Sequence, residues 1–524
     1  SARPLVLRQV AIPGKEGATD GYVDLVSERA YKYKPGQASD LVKIPDGVLP
    51  DQQVGRSGLV EKLADFDDKL LEQLLEDVQP SKEEIYSQLT RNLRRDALVP
   101  VFLGAAQLDH GVRRLWKALR HETPTAAATA ARLGFDPAGR DCVAQVIKTY
   151  YPPHSGKLSL SRIWSGQASE GMSLNGARVA GVLRLQGANA EKLAAAGPGA
   201  AVALARMGGI AHGTVLSSGA APEGPHAPLP KPVYGMAISA EKRSDDVKLS
   251  GAVARLIEED PTLSLEQIAD LQEMVLWGQG DIHLQIALDR LKHKANLAVT
   301  ARRPQVPYRE TIRKGAAQHA RFKRQSGGHG QFADIQIEVK PLPRGSGHTV
   351  TDAVVGGAIP RNYIPAVEEG VMEFLRQGPL GFPVVDVSVT LITGQFHAVD
   401  SSDQAFKTCG RMAMSEAMPK CEPVLLEPIH YVEISVPNAF TSRVQRIISG
   451  RRGQILGFDA KPQWAGWDLV TANMPLAELH DLIVELRSVT LGVGTYGDRF
   501  DHLQELTGKI AEKAMQGRGE QAAQ

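Results

Sequence analysis

Cysteine is scarce in this chain of 524 residues. The three cysteines, Cys142, Cys409 and Cys421, are too few and too widely spaced for a disulfide framework or a zinc site. Such low cysteine usage is typical of a reducing compartment, so we expect a cytoplasmic protein. No run of about 18 uncharged apolar residues is present, and the first residues lack the apolar core of a signal peptide. We therefore expect neither a transmembrane helix nor secretion.

A phosphate-binding loop of the form Gly-x-x-x-x-Gly-Lys-Ser/Thr is also missing. The Gly-Lys pairs that begin at Gly14, Gly156 and Gly508 are followed by Glu, Leu and Ile, so none of them supplies the hydroxyl that binds Mg²⁺. No Ser–His–Asp, Cys–His or paired-carboxylate arrangement stands above chance in a chain of this length. The residues by themselves predict no catalytic group and no metal site.

Charge of one sign is not in excess either, since the formal net charge is only +1. Positive charge is concentrated instead in residues 302–324, which contain eight basic residues and a single acidic one, Glu310. Such a run can neutralise phosphates and gives salt-dependent binding. A solvated protein surface accounts for it equally well. The basic residues are Arg302, Arg303, Arg309, Arg313, Lys314, Arg321, Lys323 and Arg324.

The length predicts roughly three to five domains of about 100–200 residues each. The apolar content of 43% and charged content of 23% are typical of globular domains. Near the start, Leu5–Ile12 is predicted to form one strand that ends at Pro13. Short strands separated by glycine turns over residues 139–220 predict a small β-barrel. From residue 430 the order strand, helix, strands, helix, strand predicts a ferredoxin-like unit.

Two loop-like segments are the most informative parts of the sequence. The first, Gln325–Phe332, contains three glycines that permit positive φ and a close approach of backbone amides to a sugar–phosphate chain. In the second, Gly394–Ser402, the imidazole of His397 can stack on an unpaired base and exchange one hydrogen bond with it. The alternatives are an ordinary flexible hairpin and a surface histidine without a role. The candidate RNA-binding residues are Ser326, Gly327, Gly328, His329, Gly330, Gln331, His397, Asp400, Ser401 and Ser402.

The second loop also contains residues that can hold it in place. Asp400, Ser401 and Ser402 precede a predicted helix, and their side-chain oxygens can accept hydrogen bonds from its first free amides. We therefore expect His397 to face RNA and Asp400 to hold the loop. Elsewhere, His283 lies between two apolar residues and is interpreted as a structural histidine. Arg451 and its neighbour are either a contact for RNA phosphates or a plain charged turn.

In their order and spacing, the motifs of this chain resemble those of elongation factor G, the ribosomal translocase. The resemblance extends over nearly the whole chain. Leu276 and Trp277, before the motif Gly278–Leu284, make the chain most similar to the divergent second paralogues of that family. The first loop has His329 where the family usually has arginine. The motifs that carry the resemblance are Pro100–Ala106, Arg162–Gly166, Arg255–Thr262, Gly278–Leu284, Pro304–Thr311, Gln325–Phe332, Tyr363–Val367, Gly394–Ser402, Ser449–Gln454 and Leu486–Ser488.

The resemblance implies an α+β multidomain fold made of five parts. Domain IV would protrude, with a left-over-right βαβ-type fold, and place the two loops at its tip. The implied parts are the C-terminal part of a P-loop GTPase domain with its insert (1–124), a translation-factor β-barrel as domain II (139–220), ferredoxin-like domain III (231–304), domain IV (305–429) and ferredoxin-like domain V (430–508).

The resemblance also implies GTP-dependent translocation of tRNA and mRNA on the ribosome, with the tip loops in the decoding site. GTP and Mg²⁺ would be cofactors of the complete protein, and Gly104, Ala105 and Ala106 would form its last guanine-contacting loop, where the family usually has Gly-Ser-Ala. The phosphate loop, the switches and the Asn-Lys-x-Asp motif have no counterpart here. We therefore expect this chain alone to be inactive in GTP hydrolysis.

The expected partners are the ribosome with its rRNA, tRNA and mRNA, and the expected state is a monomer that does not bind membranes. Two other functions stay open. One is a nucleotide-independent factor that binds ribosomes as a tRNA mimic. The other is a relative of the translational GTPases that recycles or protects ribosomes.

Overall fold

The computed structural model describes residues 3–152, 156–187, 189–224, 228–326 and 329–522, with backbone alone for a few of them. The chain divides into two compact units, one of residues 1–229 with 254–261 and the other of residues 230–253 with 262–524. In the described part of the chain, no helix combines the length and the apolar character needed to cross a membrane.

The first part of unit 1 contains a parallel pair of strands, β1 and β6, with an inserted sheet and helical layer between them in sequence. The inserted sheet is antiparallel, in the order β2–β3–β4–β5. The elements are β1 Leu5–Leu7, β2 Gln9–Pro13, β3 Thr19–Asp24, β4 Arg29–Lys32, β5 Asp40–Val42, α1 Leu49–Ala64, α2 Asp68–Leu75, α3 Lys82–Arg94, β6 Val99–Val101, α4 Val112–Glu122 and α5 Ala126–Arg132.

The single strand predicted for Leu5–Ile12 is wrong, because the chain changes partners at Arg8. The amide of Arg8 donates to the carbonyl of Val101, which belongs to β6, at 3.0 Å. Its carbonyl accepts from Leu25, just after β3, also at 3.0 Å. The Arg8 side chain is fully buried and paired with Glu122. An apolar pattern along one segment cannot show such an exchange, which depends on strands elsewhere in the chain.

The second part of unit 1 is built on a six-stranded antiparallel sheet in the order β13–β12–β15–β8–β7–β16. Two short ribbons, β9 with β14 and β10 with β11, flank it. Its core includes Ile163, Leu204 and Leu216, which are fully buried. The strands are β7 Val143–Tyr150, β8 Leu158–Ser165, β9 Ala168–Ser169, β10 Ser173–Leu174, β11 Ala177–Arg178, β12 Val182–Gln186, β13 Asn189–Leu193, β14 Ala195–Ala196, β15 Ala201–Ala205 and β16 Val215–Ser217.

Unit 2 begins with a four-stranded antiparallel sheet in the order β18–β19–β17–β20. Two helices accompany it, and the last residues of α6 are counted with unit 1. The alternation of strands and helices is the one predicted for a ferredoxin-like domain. The elements are β17 Tyr234–Ala240, α6 Asp246–Glu259, β18 Ser264–Ile268, β19 Glu273–Gly278, α7 Asp281–Ala295 and β20 Val299–Arg302.

The middle of unit 2 is a four-stranded sheet in the order β22–β23–β25–β24, packed against two helices. Strands β22 and β23 form a long antiparallel hairpin, whereas β24 and β25 are parallel. The elements are β21 Arg309–Ile312, β22 Ala316–Ser326, β23 His329–Pro341, β24 His348–Asp352, α8 Ile364–Leu375, β25 Val387–Gln395 and α9 Asp403–Ala417.

Two glycines bring α8 and α9 into close contact. A Cβ atom at Gly370 would lie 2.1 Å from the carbonyl oxygen of Lys407, and one at Gly410 would lie 2.7 Å from that of Val367. Each helix backbone therefore rests directly on the other. This contact fixes α9 against α8, and α9 begins directly after the second of the two predicted loops.

The last part of unit 2 is a sheet in the order β21–β26–β28–β27, with β29 pairing the other side of β26. Val432, Ile434 and Val436 of β26 are fully buried, as their alternation predicts. The strand and helix order is that of the predicted ferredoxin-like unit. The elements are β26 Pro423–Pro437, α10 Thr441–Gly450, β27 Gln454–Ala460, β28 Trp467–Pro475, α11 Leu482–Val489, β29 Thr495–Leu506 and α12 Lys509–Ala522.

Candidate nucleic-acid interface

Both predicted loops leave the middle sheet of unit 2 at the same end. The β22–β23 hairpin is closed by the pairing of Ser326 with His329. Strand β25 runs antiparallel to β23 and pairs Gln395 with Asp334, close to the start of β23. The end of β25 therefore lies beside the hairpin end, and the segment that follows Gln395 meets the hairpin loop. We call these two segments the tip loops.

Asp400 joins the tip loops through two hydrogen bonds. The amide of Gly330 donates to Asp400 Oδ1 at 3.1 Å, and the amide of Phe332 donates to the Asp400 carbonyl at 2.8 Å. A Cβ atom at Gly330 would lie 2.7 Å from Asp400 Cγ, so the carboxylate reaches this amide only because position 330 is glycine. The carboxylate is thus directed toward the hairpin.

Ser401 adds a second set of bonds between the same segments. Its hydroxyl donates to the carbonyl of Phe332 at 2.8 Å and accepts from the amide of His397 at 2.9 Å. The hydroxyl of Tyr363 donates to the Ser401 carbonyl at 3.3 Å. The involvement of Tyr363 and Phe332 was not foreseen, because no local sequence signal connects positions so far apart.

Only one of the three residues expected to cap α9 does so. The hydroxyl of Ser402 accepts from the amide of Ala405 at 3.3 Å, the usual N-cap bond. Asp400 and Ser401 instead bind backbone groups of the tip loops. Asp400 thus holds the loop, as expected, whereas the caps that Asp400 and Ser401 could form are not made, because both side chains find partners on the neighbouring hairpin.

His397 lies at the exposed side of this bonded backbone. Its side chain is 55% exposed, and its Nδ1 accepts from the amide of Asp400 at 3.2 Å. The same Nδ1 lies 3.3 Å from Asp400 Oδ2, so the backbone amide and the carboxylate favour opposite tautomers of the neutral ring. The ring is edge-on to Phe332, with 6.3 Å between the centroids. The site thus presents an exposed aromatic ring on a backbone held by several hydrogen bonds.

The remaining candidate residues belong to the hairpin. Gly327 and Gly328 lie outside the described residues. Ser326 and His329 are described by their backbone alone, which pairs across the end of the hairpin. Gln331 is half-buried and lies opposite Arg324 in the same pairing.

Most side chains of the basic run are bonded to other residues of this protein. Toward the tip loops, however, Arg321, Lys323 and Arg324 are exposed along β22. Arg321 lies over the ring of Phe332 at 5.3 Å and pairs with Asp334 at 3.7 Å, whereas no acidic partner of Lys323 or Arg324 is found among the described residues. Lys323 and Arg324 therefore offer positive charge to phosphates at this end. The pairs made by the rest are Arg302 with Glu273, Arg303 with the carbonyl of Ala477, Arg309 with Asp270, Arg313 with Glu505 and Lys314 with Glu422.

The loop of Gly104, Ala105 and Ala106 is exposed in unit 1. Reciprocal backbone bonds of 3.0 and 3.1 Å between Ala105 and His110 close it, and the ring of His110 stacks on Tyr33 with 4.3 Å between centroids. Its backbone can meet a base, but the described residues include no glycine-rich loop that could surround phosphates. The described residues therefore do not fit the phosphates of GTP.

Two other singled-out positions serve the structure of the protein. His283 accepts from the amide of Gln279 at 3.1 Å at the start of α7. The guanidinium of Arg452 binds both carboxylate oxygens of Glu427, at 2.9 and 3.0 Å. In the described ranges, no group of His, Cys, Asp and Glu side chains is arranged to hold a metal ion.

A sheet that carries two joined loops at one end, between two ferredoxin-like units, defines a multidomain factor of the translational type. Family models for elongation factor G match three consecutive stretches: domain III at residues 229–303, domain IV at 304–422 and the C-terminus at 424–514. An elongation factor G-like protein of Synechocystis sp. is 49% identical over 514 residues, which cover 98% of this chain and 76% of that protein.

Two further comparisons agree. Elongation factor G of Fervidobacterium nodosum is 33% identical over 528 residues, covering 96% of this chain and 75% of that protein. A crystal structure of a Thermus thermophilus protein superposes with a TM-score of 0.75 at 31% identity, over 99% of this chain and 77% of that one. The chain belongs to the elongation factor G family, which confirms the resemblance seen in its motifs.

Proposed function

We propose that this protein is a ribosomal factor that promotes GTP-dependent translocation of tRNA and mRNA. The observation that carries the proposal is the pair of tip loops, joined at Gly330 and Asp400, which presents the exposed imidazole of His397. The proposal is supported by the family to which the chain belongs. Its partners would be rRNA, tRNA and mRNA in the cytoplasm, with the factor acting as a monomer.

The tip loops have the chemistry that unpaired RNA requires. An imidazole can stack on an unstacked base and donate one hydrogen bond to its edge. Exposed cations on β22, at Lys323 and Arg324, lie on the approach to the loops and suit the phosphate backbone. Because Asp400 and Ser401 already hold the loop backbone, little conformational freedom is lost when RNA binds. In the decoding site, we propose that His397 contacts a base directly.

The nucleotide part of the reaction lies outside the residues of this chain. Gly104, Ala105 and Ala106 would offer their backbone to a guanine base, but the described residues include no glycine-rich loop that would surround the phosphates. We propose that GTP and Mg²⁺ act through a phosphate-binding part of the GTPase domain that this sequence does not include. The 524-residue chain should then bind ribosomes without hydrolysing GTP.

The test is ribosome binding with a chemical footprint of the decoding-site RNA. The 524-residue protein should sediment with ribosomes, compete with elongation factor G and protect decoding-site nucleotides. His397→Ala should weaken this protection while leaving folding within about 0.5 kcal/mol of the parent, as for most exposed side chains. His348→Ala is the matched control, because His348 is exposed on the same sheet but at the opposite end of β25.

Two results would overturn the proposal. The first is a decoding-site footprint that is the same for His397→Ala and for the parent protein. The second is a failure of the parent to compete with elongation factor G. Ribosome-stimulated GTP turnover by this chain would contradict the part of the proposal that places phosphate binding elsewhere.

We propose as a second candidate a factor that works on the ribosome as a tRNA mimic without nucleotide. The two candidates predict different results when a nucleotide-binding part is added to the chain. Tight ribosome binding by the chain alone, with no translocation when the N-terminal quarter of a relative is fused to it, would favour the mimic. Restored translocation in that fusion would favour the translocase.

A further inference from the structure

The C-terminal sheet of unit 2 has one covered face and one open face. Val432, Ile434 and Val436 point toward α10 and α11, whose residues Val444 and Leu486 are fully buried with them. Alternate residues of a strand point to opposite sides of the sheet. The residues between them, at positions 431, 433 and 435, therefore belong to the side that these helices do not cover.

At one end of the open face, an arginine lies flat over a tyrosine. Tyr431 and Arg499 are directly opposite each other in the pairing of β26 with β29. The guanidinium carbon of Arg499 lies 4.5 Å from the centre of the Tyr431 ring, and Arg499 is exposed. A guanidinium held against a ring in this way presents its other plane to solvent, and such planes stack on nucleobases.

At the other end of the same face, two tryptophans and a lysine form a second group. The indoles of Trp464 and Trp467 are edge-to-face, with centroids 4.9 Å apart. The ammonium of Lys461 lies 3.8 Å from the centre of the Trp464 ring and donates to the hydroxyl of Ser435 at 3.0 Å. Trp464 is 45% exposed, so part of its ring is available to a ligand.

Between these two groups lies an open floor. Glu433 pairs with Gly497 on one side and with Thr471 on the other, and Thr471 pairs with Gly457. A Cβ atom at Gly497 would have no neighbour within 4 Å. Glu433 is exposed, and no partner for its carboxylate is found among the described residues. The centre of the face is therefore unobstructed, and Glu433 offers an acceptor there.

We propose that this open face, defined by Tyr431, Glu433, Lys461, Trp464 and Arg499, binds single-stranded RNA. From Tyr431 to Ser435 the strand advances about 13 Å at about 3.3 Å per residue, which suits the two or three bases that such a sheet accommodates. One base stacks on the Arg499 guanidinium and another on the Trp464 ring. The two cations neutralise adjacent phosphates, and Glu433 accepts a hydrogen bond from the exocyclic amine of a cytosine.

The composition of the floor favours RNA over a protein partner. The core of a protein interface is apolar and rich in aromatic side chains. Here the aromatic rings stand at the two ends, and Leu469 is the one aliphatic side chain between them among the described residues of the floor. The rest are small or polar. The site is separate from the tip loops and does not depend on the proposed function.

The experiment measures binding of fluorescein-labelled ten-nucleotide RNAs, oligocytidine and oligouridine, to the full chain by fluorescence anisotropy. The parent protein should bind both and prefer oligocytidine. Trp464→Ala combined with Arg499→Ala should weaken binding at least about tenfold, as expected when two stacking contacts are lost. Gly497→Val should have a similar effect by filling the floor, since valine suits a strand. Glu433→Gln should reduce the preference for oligocytidine.

Two controls separate this site from the rest of the molecule. Trp116→Ala removes another exposed tryptophan, 72% accessible in unit 1, and should leave RNA binding unchanged. His348→Ala, on the middle sheet of unit 2 at the end away from the tip loops, should also leave it unchanged. Circular dichroism checks that each variant folds. If Gly497→Val does not fold, the Trp464 and Arg499 double variant decides the outcome.

The proposal is wrong if the parent binds neither RNA at about 50 mM salt, where phosphate contacts are strong. It is also wrong if His397→Ala abolishes binding while the folded Trp464 and Arg499 double variant retains it, because the RNA then binds at the tip loops. Equal affinity for both RNAs in the parent would overturn the assigned role of Glu433.

Discussion

The amide of Gly330 donates a hydrogen bond to Asp400 Oδ1 at 3.1 Å, although 70 residues separate the two positions. This bond joins the tip loops at the point where both leave the sheet. Ser401 supports it with a bond from its hydroxyl to Phe332. The exposed imidazole of His397 is therefore presented by backbone that is already held before any partner arrives, although each loop by itself is rich in small residues.

Replacing Gly330 should loosen the tip loops without unfolding the protein. In Gly330→Ala the new methyl group would lie 2.7 Å from Asp400 Cγ and displace the carboxylate. Loss of a hydrogen bond to a charged group costs about 1.5–3 kcal/mol at most, and less where solvent replaces it. Hydrogen–deuterium exchange should therefore accelerate several-fold at the amides of Phe332 and Asp400, with little change in Tm. Unchanged exchange at both amides would show that the bond does not hold the loops.

Gly370 and Gly251 should respond to alanine with opposite signs. Gly370→Ala places a methyl group 2.1 Å from the carbonyl oxygen of Lys407, so α8 and α9 must separate, at a cost of about 1–3 kcal/mol. Gly251 lies in α6, and a methyl group there would meet no atom of another element within 4 Å, so Gly251→Ala should stabilise its helix by about 0.5–1 kcal/mol. Urea denaturation measures the change in the free energy of unfolding for both variants, and hydrogen–deuterium exchange of the α8 and α6 amides locates it. Equal effects would contradict the close contact of α8 with α9.

The buried pair of Arg8 and Glu122 should be the most sensitive charge pair of unit 1. Both side chains are less than a tenth exposed. Glu122→Ala would leave a buried guanidinium without its partner, which costs about 3–5 kcal/mol. The matched control is Glu191→Ala, because the pair of Arg184 and Glu191 is more than 60% exposed and such pairs contribute about 1 kcal/mol or less. Thermal unfolding compares them, and similar losses in Tm would contradict this assignment.

Asp24 should make the stability of unit 1 depend on pH. Burial works to raise the pKa of this carboxyl, but the amide of Ser27 and the guanidinium of Arg114 outweigh it and hold the pKa below its ordinary value. A depressed folded-state pKa means that the stabilisation is present above the unfolded value of about 3.9 and is lost as pH falls through the folded value. Unfolding of unit 1 should therefore become easier below about pH 4.

The variant Asp24→Asn tests this dependence. It should be less stable than the parent at about pH 6, because it loses the charge that faces Arg114. Its free energy of unfolding should fall less steeply as the pH is lowered, since the asparagine amide does not titrate. Denaturant unfolding of unit 1 between about pH 2 and about pH 6 gives both curves. Parallel curves for the parent and the variant would mean that other carboxyl groups cause the loss of stability at low pH.

Local patterns predicted much of the fold. The alternation of Val432, Ile434 and Val436 identified a strand with one buried face, and the structure has it. Ser402 was among the predicted caps of α9 and does cap it. In each case the sequence pattern and the structural feature that it predicts involve residues only a few positions apart in the chain. The two glycine-containing loops were likewise visible, because their residue types are unusual over a short stretch.

Features that depend on distant residues were not predictable in this way. Leu5–Ile12 is uniformly strand-like, yet it divides at Arg8 because β6 and β3 compete for its backbone groups. The basic run suggested a phosphate-binding surface, yet Arg313 binds Glu505, which is 192 residues away. Such pairs depend on proximity in space, and no periodicity along the chain records it.

The sequence alone determined the order of the elements, the family and the two loops that carry its most distinctive residues, since these follow from residue types at short spacing. Only the tertiary structure decided which side chains are available to a partner. It directed Asp400 toward Gly330, left His397 exposed and gathered Tyr431, Arg499 and Trp464 on one face. The physical reason is that hydrogen bonds, ion pairs and ring contacts form between groups within a few ångströms, whatever their separation along the chain.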